Sequence, residues 1–276
     1  MNEIGKMNTL PVTMISDFGV YLDAGELGEL LLPNRYVSED MKLGNMVEVF
    51  IMLDSEDRYI ATTDTPLGMA GEFVALKVVA VTDFGAFMDW GMPKDLLVPF
   101  REQKITMCVG DTHVVYIYVD DVSQRLVASA KIEKFIDVTG AFYSEGEKVD
   151  LLIYARTELG YKALINGAQE GLIFHDDVLE PLTLGQHIEG FIKQIRDDGK
   201  INLCLQNPGK EKVLELKDRI LVYLNENSGF MPITDKNRPD EIYSLFGVSK
   251  KTYKKAIGAL YKKRLITFEN NGTKLT

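Results

Sequence analysis

The sequence predicts a mainly β chain of three consecutive five-stranded β-barrels, followed by a C-terminal α+β module. Three observations predict this fold class: a unit that recurs three times, short runs of alternating apolar and polar residues within each unit, and a change to helical periodicity near residue 210. We therefore expect four domains, at residues 1–65, 66–137, 138–207 and 208–276.

The recurring unit is defined by three anchor positions. The first anchor is a glycine inside SDFGVYLDA, TDFGAFMDW and TELGYKALI, at Gly19, Gly85 and Gly160. The second anchor is a glycine 25 residues later in each copy, at Gly44, Gly110 and Gly185. The third anchor is a basic residue that opens the last strand, at Arg58, Arg125 and Lys200. Three matched anchors in three copies indicate an internal repeat of one domain.

Each copy contains short runs in which β-branched or aromatic residues alternate with polar ones, as in residues 73–81. Such runs, separated by Gly and Asp turns, predict the strands of a small antiparallel sheet. The first anchor glycine falls between two runs, where we expect a bulge or sharp coil that lets the sheet close. The segment 130–143 lengthens the spacing between the second and third copies, and its helical spacing of Ile132, Phe135 and Ile136 predicts a short linker helix.

The C-terminal module begins with two predicted helices. Residues 213–227 form the first, with an apolar stripe of Leu214, Ile220, Leu221 and Leu224. Residues 239–246 form the second, which begins with Pro239 and acidic residues and ends at Gly247.

A third helix and a hairpin complete the module. Ser249 is the expected N-cap of this helix over residues 250–265, whose apolar stripe is Tyr253, Ile257, Leu260 and Tyr261. Two strands then follow across the turn Asn270, Asn271 and Gly272. This order of elements predicts a winged helix. Its third helix places Lys250, Lys251, Lys254 and Lys255 on one cationic flank, which suits phosphate contact better than sequence readout.

Composition limits the class of protein further. With 46% hydrophobic residues in 276, the chain can bury a substantial core and has no composition typical of disorder. The N-terminal residues do not resemble a secretory signal, and no uninterrupted apolar stretch is long enough for a membrane span, so we expect a cytoplasmic protein. Cys108 and Cys204 form no paired motif, and we expect both to be small core residues rather than disulfide or metal ligands.

Charge is distributed unevenly along the chain. Residues 1–207 have 17 Lys and Arg against 33 Asp and Glu, whereas residues 208–276 have 14 against 8. The basic segment indicates an anionic partner, with a solvated helical face as the alternative. The three repeats have net charges of −8, −3 and −5, which disfavour a polyanion except where positive charge is concentrated.

The repeat resembles the RNA-binding domain of ribosomal protein S-one, an OB fold with an aromatic-Gly-x-aromatic motif on its second strand. The motif is Phe18-Gly19-Val20-Tyr21 in the first copy and Phe84-Gly85-Ala86-Phe87 in the second. The resemblance implies that these aromatic side chains stack on bases, and that Arg58 and Arg125 neutralise phosphate or stack by cation–π contact. Phe18 and Tyr21 are three residues apart, so one aromatic of each pair could instead belong to the core unless a bulge at Gly19 restores both to one face.

The third copy departs from this motif, because Leu159-Gly160-Tyr161-Lys162 retains only the glycine. We expect Lys162 and Lys200 to contact phosphate there. Phe174 and His175 stand where the ribosomal-type domain often has a functional histidine. Binding should therefore depend mainly on the second barrel and the basic winged helix, while the acidic first barrel serves a structural or protein-contacting role.

Over its whole length the chain resembles the CvfB family of bacterial RNA-binding proteins, through stretches such as DFGVYLDAGELGELLLP and DFGAFMDWGMPKDLLVP and the final winged helix. The resemblance implies a post-transcriptional regulator, often of virulence genes. The expected partner is single-stranded RNA, bound with low sequence specificity, with the ribosome or RNA-processing machinery as a further contact. We expect a monomer without cofactor, metal or membrane contact.

Two other functions compete with this one: a DNA-binding transcriptional regulator acting through the winged helix, and a protein scaffold on the ribosome or an RNA-degradation complex. DNA is the less favoured partner, since one winged helix lacks the dimer symmetry typical of operator binding. An enzyme is not expected, because the three histidines form no catalytic motif and the repeats leave no room for a catalytic domain.

Overall fold

The structure is a computed structural model that describes residues 3–137, 143–178, 180–269 and 272–276. The chain divides into two compact units. The first contains the first two barrels and part of the third, and the second contains the rest of the third barrel and the C-terminal domain. The prediction of three closed five-stranded barrels followed by a winged helix is confirmed.

The first barrel has the strand order β1-β2-β3-β5-β4. Its strands are β1 (Met7–Ser16), β2 (Gly19–Asp23), β3 (Glu29–Pro33), β4 (Met46–Leu53) and β5 (Tyr59–Thr62). The strands form because apolar residues alternate with polar ones, so that Val20 and Leu22 point into the barrel while Tyr21 between them points outward. Only β3 and β5 pair in parallel, and this pairing closes the barrel.

The second barrel repeats this topology with the strand order β10-β8-β7-β6-β9. Its strands are β6 (Phe73–Thr82), β7 (Gly85–Asp89), β8 (Leu96–Pro99), β9 (Thr112–Val119) and β10 (Leu126–Ser129). The third barrel has the order β11-β12-β13-β15-β14. Its strands are β11 (Lys148–Arg156), β12 (Gly160–Ile165), β13 (Gln169–Phe174), β14 (His187–Ile195) and β15 (Ile201–Cys204). In each barrel the third strand leads into a single 3-10 turn, at Asn34–Tyr36, Phe100–Glu102 and His175–Asp177.

The first two barrels share apolar contacts. Phe50 of β4 is fully buried and belongs to the core cluster of the second barrel, where its ring meets the Trp90 ring edge-on at 5.8 Å. The guanidinium of Arg125 also pairs with the carboxylate of Asp57. Burial of aromatic surface contributes more to such an interface than an exposed ion pair, so the Phe50 and Trp90 contact outweighs the pair of Arg125 and Asp57.

The predicted linker helix at residues 130–143 is wrong for the part that the structure describes. Ile132–Lys134 form one 3-10 turn, and residues 138–142 lie outside the described residues. The spacing of apolar side chains misled the prediction because they pack on the neighbouring barrels: Ile132 lies in a cluster with Val114 of the second barrel and Leu152 of the third. Ile132 is buried, and the Phe135 ring stacks on the Tyr116 ring at 4.1 Å.

The C-terminal domain has the winged-helix order of elements. These are α1 (Pro208–Glu226), β16 (Phe230–Met231), α2 (Pro239–Phe246), α3 (Lys250–Lys262), β17 (Ile266–Glu269) and β18 (Gly272–Leu275). The predicted caps are confirmed: Gly247 ends α2 in the left-handed conformation, and the Ser249 hydroxyl accepts a hydrogen bond from the Thr252 N–H at 3.2 Å. The predicted turn residues Asn270 and Asn271 lie outside the described residues, although β17 and β18 do pair across them.

Two predicted core stripes need correction. Leu214 is exposed and Leu216 is buried in its place, because Leu216, Ile220 and Leu224 recur every four residues on one helix face. In α3, Tyr261 is exposed and stacks on Phe268 instead of packing into the core.

The cysteine prediction is half correct. Cys204 is buried, but Cys108 is exposed, since the neighbouring Met107 fills the core position. The backbone N–H of Cys108 donates to the carboxylate of Asp111 in the turn that precedes β9.

Candidate nucleic-acid interface

The first barrel holds the Phe18 side chain out in solvent. Phe18 lies in the turn between β1 and β2, with 74% of its surface exposed. Its carbonyl oxygen accepts a hydrogen bond from the Asn34 N–H at 3.0 Å, which fixes the turn against the end of β3. The next residue, Gly19, has a φ of +149°, and a Cβ atom there would overlap the carbonyl oxygen of Leu32. Only glycine allows this close crossing of β2 and β3.

The second barrel reproduces this arrangement. Phe84 is 75% exposed in the turn before β7. Gly85 has a φ of +148°, and a Cβ atom there would overlap the carbonyl oxygen of Val98. Two independent copies therefore place an aromatic ring in water at the same position. Phe18 and Phe84 are exposed, so the alternative that one aromatic of each pair belongs to the core is wrong for the first aromatic of the motif.

The second aromatic of each motif, Tyr21 or Phe87, is half-buried on the outer face. Tyr21 pairs with Leu31 across β2 and β3, and Phe87 pairs with Leu97 across β7 and β8. The expected bulge at Gly19 is instead found in β1, where the register shifts between Val12 and Met14. The motif needs no bulge at the glycine, because its first aromatic precedes the strand and is free of the strand's alternation.

A third exposed aromatic, Phe100, was missed from the sequence. Gly85 pairs with Pro99, so Phe84 and Phe100 lie one residue beyond that pair at the same end of the hairpin. Phe100 is 52% exposed and opens the 3-10 turn after β8. His175 opens the corresponding 3-10 turn after β13 in the third barrel. Phe100 therefore occupies the same repeat position as His175, and an alignment of the repeats at this turn would have identified it.

The two arginines assigned to phosphate contact both have carboxylate partners. Arg58 donates from Nε and Nη2 to the Asp54 carboxylate at 2.9 and 2.8 Å, and it remains mostly exposed. Burial would raise the pKa of Asp54, but hydrogen bonds from the Arg58 backbone and side chain outweigh this effect and lower it. Arg125 pairs with Asp57 of the first barrel. A phosphate could be bound by either arginine only in competition with these carboxylates.

In the third barrel the basic residues are paired as well. The Lys162 ammonium lies 2.9 Å from the Glu170 carboxylate, which also accepts a hydrogen bond from the Tyr154 hydroxyl. Burial, and then the hydrogen bond to Glu170, raise the pKa of Tyr154 well above its usual range. Leu159 is exposed where the other barrels have phenylalanine, and Lys200 is exposed beside Asp198 at 3.4 Å. At the described motif positions Leu159 and Lys162 the third barrel therefore has no aromatic side chain.

The four lysines of α3 divide into two groups. Lys250 is partly buried, and its ammonium donates to the backbone carbonyl of Asn237 at 2.6 Å, so it fixes the loop before α2. Lys251, Lys254 and Lys255 are exposed. Lys254 lies 3.9 Å from Asp235, while Lys251 and Lys255 make no ion pair with any described residue. The cationic flank of α3 thus comprises three lysines, not four.

Among residues 3–137, 143–178, 180–269 and 272–276, no group of three or more His, Cys, Asp or Glu residues is arranged to hold a metal ion. Among those same residues, no helix has the length and apolar content needed to cross a membrane.

Small closed barrels with exposed aromatic rings, joined in one chain to a winged helix, define a multidomain protein of the nucleic-acid-binding type. Comparison with known proteins agrees with this class. Residues 4–64 and 70–131 match the S1 domain family, and residues 218–275 match the CvfB-like winged helix domain. The S1 domain matches point to nucleic-acid binding.

The chain belongs to the CvfB family. It is 30% identical to the uncharacterized protein YitL of Bacillus subtilis, over 98% of this chain and 92% of that protein. It is also 25% identical to conserved virulence factor B of Staphylococcus epidermidis, over 99% of this chain and 95% of the relative. Among solved structures, a multidomain protein with nucleic acid binding domains from Streptococcus pneumoniae aligns over 99% of this chain and 98% of its own, with 22% identity and a TM-score of 0.41.

Proposed function

We propose that this protein binds single-stranded RNA with low sequence specificity and regulates gene expression after transcription, in the cytoplasm, with virulence genes among its targets. The observation that carries the proposal is the exposed Phe84 beside the outward-facing Phe87, in a turn fixed by the close approach of Gly85 to Val98. The matching arrangement of Phe18 and Tyr21 in the first barrel supports it.

Exposed aromatic rings suit an unpaired strand. A base that stacks on such a ring contributes about 1 to 3 kcal/mol with little dependence on its identity. In a duplex the bases are already stacked on one another, so the same rings would have little to gain. The aromatic face therefore favours RNA regions without secondary structure, and it explains low specificity because every base offers a π-face.

The acidic charge of the barrels decides where the phosphates can lie. The first repeat has a net charge of −8 and the second −3, so repulsion of the RNA backbone is weaker at the second. Arg101 adds a mostly exposed cation next to Phe100, with Asp120 at 3.4 Å as its only ion-pair partner among the described residues. These charges support the second barrel as the stronger of the two aromatic sites.

The direct test measures binding of the purified chain to an unstructured, fluorescently labelled RNA of about 20 nucleotides by anisotropy. Unlabelled single-stranded RNA of another sequence should displace it efficiently, whereas duplex DNA at equal concentration and salt should not. Absence of RNA binding at low salt would contradict the proposal. Phe18→Ala should weaken RNA binding less than Phe84→Ala does, since the first barrel is proposed to contribute less to base stacking.

The second candidate function is DNA-binding transcriptional regulation, which the exposed Lys251, Lys254 and Lys255 on α3 favour. The same competition decides between the two functions. If duplex DNA displaces RNA at equal concentration, the winged helix rather than the aromatic face directs binding.

We also propose that the protein has no catalytic activity of its own. No cleavage should be detected when pure protein is incubated with labelled RNA and Mg²⁺ for hours. Steady cleavage that scales with protein concentration would overturn this. A scaffold on the ribosome or an RNA-degradation complex would instead be recognised by co-purification that survives ribonuclease treatment.

A further inference from the structure

A groove of about 350 Å³ lies between the first and second barrels. Its floor is apolar and is formed by Met52 and Ile60 of the first barrel and Met92 of the second. Arg35 and Tyr36 line the side of the first barrel, and Pro93 and Lys94 line the opposite side. The volume is at the lower end of the range for pockets that take small organic ligands, about 300 to 1,000 Å³.

The groove continues the aromatic face of the first barrel. Residues paired in register on neighbouring strands share a face of the sheet. Tyr21 pairs with Leu31, and Leu31 pairs with Ile60 on the groove floor. Ile60 in turn pairs with Met52, which packs against the core of the second barrel. An outward apolar row therefore leads from the stacking residue Tyr21 into the groove.

The rim of the groove has two cations available for an anion. The Arg35 guanidinium lies over the Tyr36 ring at 4.5 Å, and neither Arg35 nor Lys94 forms an ion pair with any described residue. The one carboxylate in the lining, Asp54, is already held by Arg58 at 2.8 Å. Charge complementarity therefore favours an anionic ligand at this rim, although the barrel as a whole is acidic.

The second barrel holds its side of the groove rigidly. The Trp90 indole N–H donates to the carbonyl oxygen of Lys94 at 2.6 Å, so the loop with Met92, Pro93 and Lys94 is tied to a buried ring. The edge-on contact of Trp90 with Phe50 links that ring to the first barrel. The two sides of the groove are thus joined through one aromatic pair, which makes the groove a preformed feature of the first unit.

We propose that this groove binds one unpaired nucleotide of a bound RNA. The base would lie against the apolar floor formed by Met52, Ile60 and Met92, and its phosphate would lie between Arg35 and Lys94. This inference rests on the proposed RNA binding. It assigns the first barrel a direct part in RNA recognition. The bound nucleotide would mark the place where the RNA strand passes from the first barrel to the second.

The test compares two double variants of the full chain with equal charge. Arg35→Ala/Lys94→Ala removes both rim cations. Lys42→Ala/Lys77→Ala removes from each barrel one exposed cation that lies outside the groove and forms no ion pair with a described residue. All four side chains are exposed, so folding should be unaffected. By anisotropy, the groove variant should bind an unstructured 20-nucleotide RNA about tenfold more weakly than wild type, and the control should stay within about twofold. Equal RNA affinities of the groove variant and the control would overturn the inference while leaving the proposed function intact. Absence of RNA binding by the wild-type protein would overturn both.

A second measurement locates the nucleotide. RNA containing 4-thiouridine is photo-crosslinked to the full chain, and crosslinked peptides should include residues 35–36 or 92–94. Crosslinks confined to other segments would overturn the inference.

A titration with free AMP or UMP, followed by the fluorescence emission of the single tryptophan, distinguishes a nucleotide within RNA from a free nucleotide as the occupant of the groove. A change in Trp90 emission that the groove variant abolishes, together with unaltered RNA affinity in that variant, would assign the groove to a free nucleotide instead.

Discussion

Gly85 lies opposite Pro99 in the pairing of β7 with β8, so closely that a Cβ atom on Gly85 would overlap the carbonyl oxygen of Val98. A residue without a Cβ atom is therefore required at this position. Phe84, the residue before it, lies in the turn outside β7 with its ring exposed.

The first prediction follows from that contact. Gly85→Ala should destabilise the protein by about 1 to 3 kcal/mol, because it adds both a steric overlap and an unfavourable φ. Gly110→Ala is the matched control: Gly110 also has a positive φ, but a Cβ atom there meets nothing within 4 Å. Urea unfolding should show a smaller loss of unfolding free energy for the control. Equal losses would mean that the positive φ alone, and not the steric overlap, requires glycine at position 85.

The second prediction concerns base stacking at Phe84 and Phe100. Phe84→Ala should weaken binding of unstructured RNA by about 1 to 3 kcal/mol, and Phe100→Ala should weaken it in the same direction. Neither change should alter the free energy of unfolding by more than about 0.5 kcal/mol, since both rings are exposed. Val122→Ala removes another exposed apolar side chain of the same barrel, 93% exposed, and should leave RNA affinity unchanged. A similar loss of affinity for Val122→Ala would argue against stacking.

The repeated elements of the fold could be predicted because each signal occurs three times. Alternation within the strands and the anchor glycines together determine the barrels, and capping residues such as Ser249 and Gly247 determine the helix ends. Periodicity failed where tertiary contacts decide the outcome. The segment around Ile132 and Phe135 has helical spacing, yet it forms one 3-10 turn that packs on the second and third barrels.

The candidate site was less predictable than the fold. Phe18 and Phe84 could be found from a local motif, but Phe100 belongs to the site only through the pairing of β7 with β8. Carboxylate partners were also hidden, since Asp57 is 68 residues from Arg125 in the sequence. The groove between barrels could not be foreseen at all, because it depends on how Trp90 fixes the Lys94 loop.

The third prediction concerns the buried carboxylate of Glu102, which is 8% exposed. It accepts hydrogen bonds from the Ser129 hydroxyl at 2.6 Å and from the Lys134 ammonium at 2.9 Å. Burial would raise the pKa of Glu102, but these two partners outweigh burial and lower it. A lowered pKa in the folded state stabilises the protein above the pKa of the unfolded chain, and the stabilisation is lost as the pH falls through the folded value.

Glu102→Gln should therefore cost about 1 to 3 kcal/mol of unfolding free energy near pH 7, and the difference from wild type should shrink as the pH falls below about 4.5. Urea unfolding of both proteins between pH 3 and 7 checks this. A difference that stays constant over the range would show that the ionised carboxylate is not the stabilising form.

The last prediction separates the lysines of α3 by their contacts. Lys251, Lys254 and Lys255 are exposed, so the triple change to Gln should reduce the slope of log K against log salt by up to about 2 for single-stranded RNA, if each lysine neutralises one phosphate. Lys254 should contribute least, because Asp235 lies 3.9 Å away and competes for it. Lys250→Gln should leave the slope unchanged and lower the unfolding free energy by about 1 kcal/mol instead, since its ammonium donates to the carbonyl of Asn237. Anisotropy titrations in 50 to 200 mM KCl and thermal unfolding distinguish the two effects. An unchanged slope in the triple variant, with RNA still bound, would assign the phosphate contacts to the barrels alone.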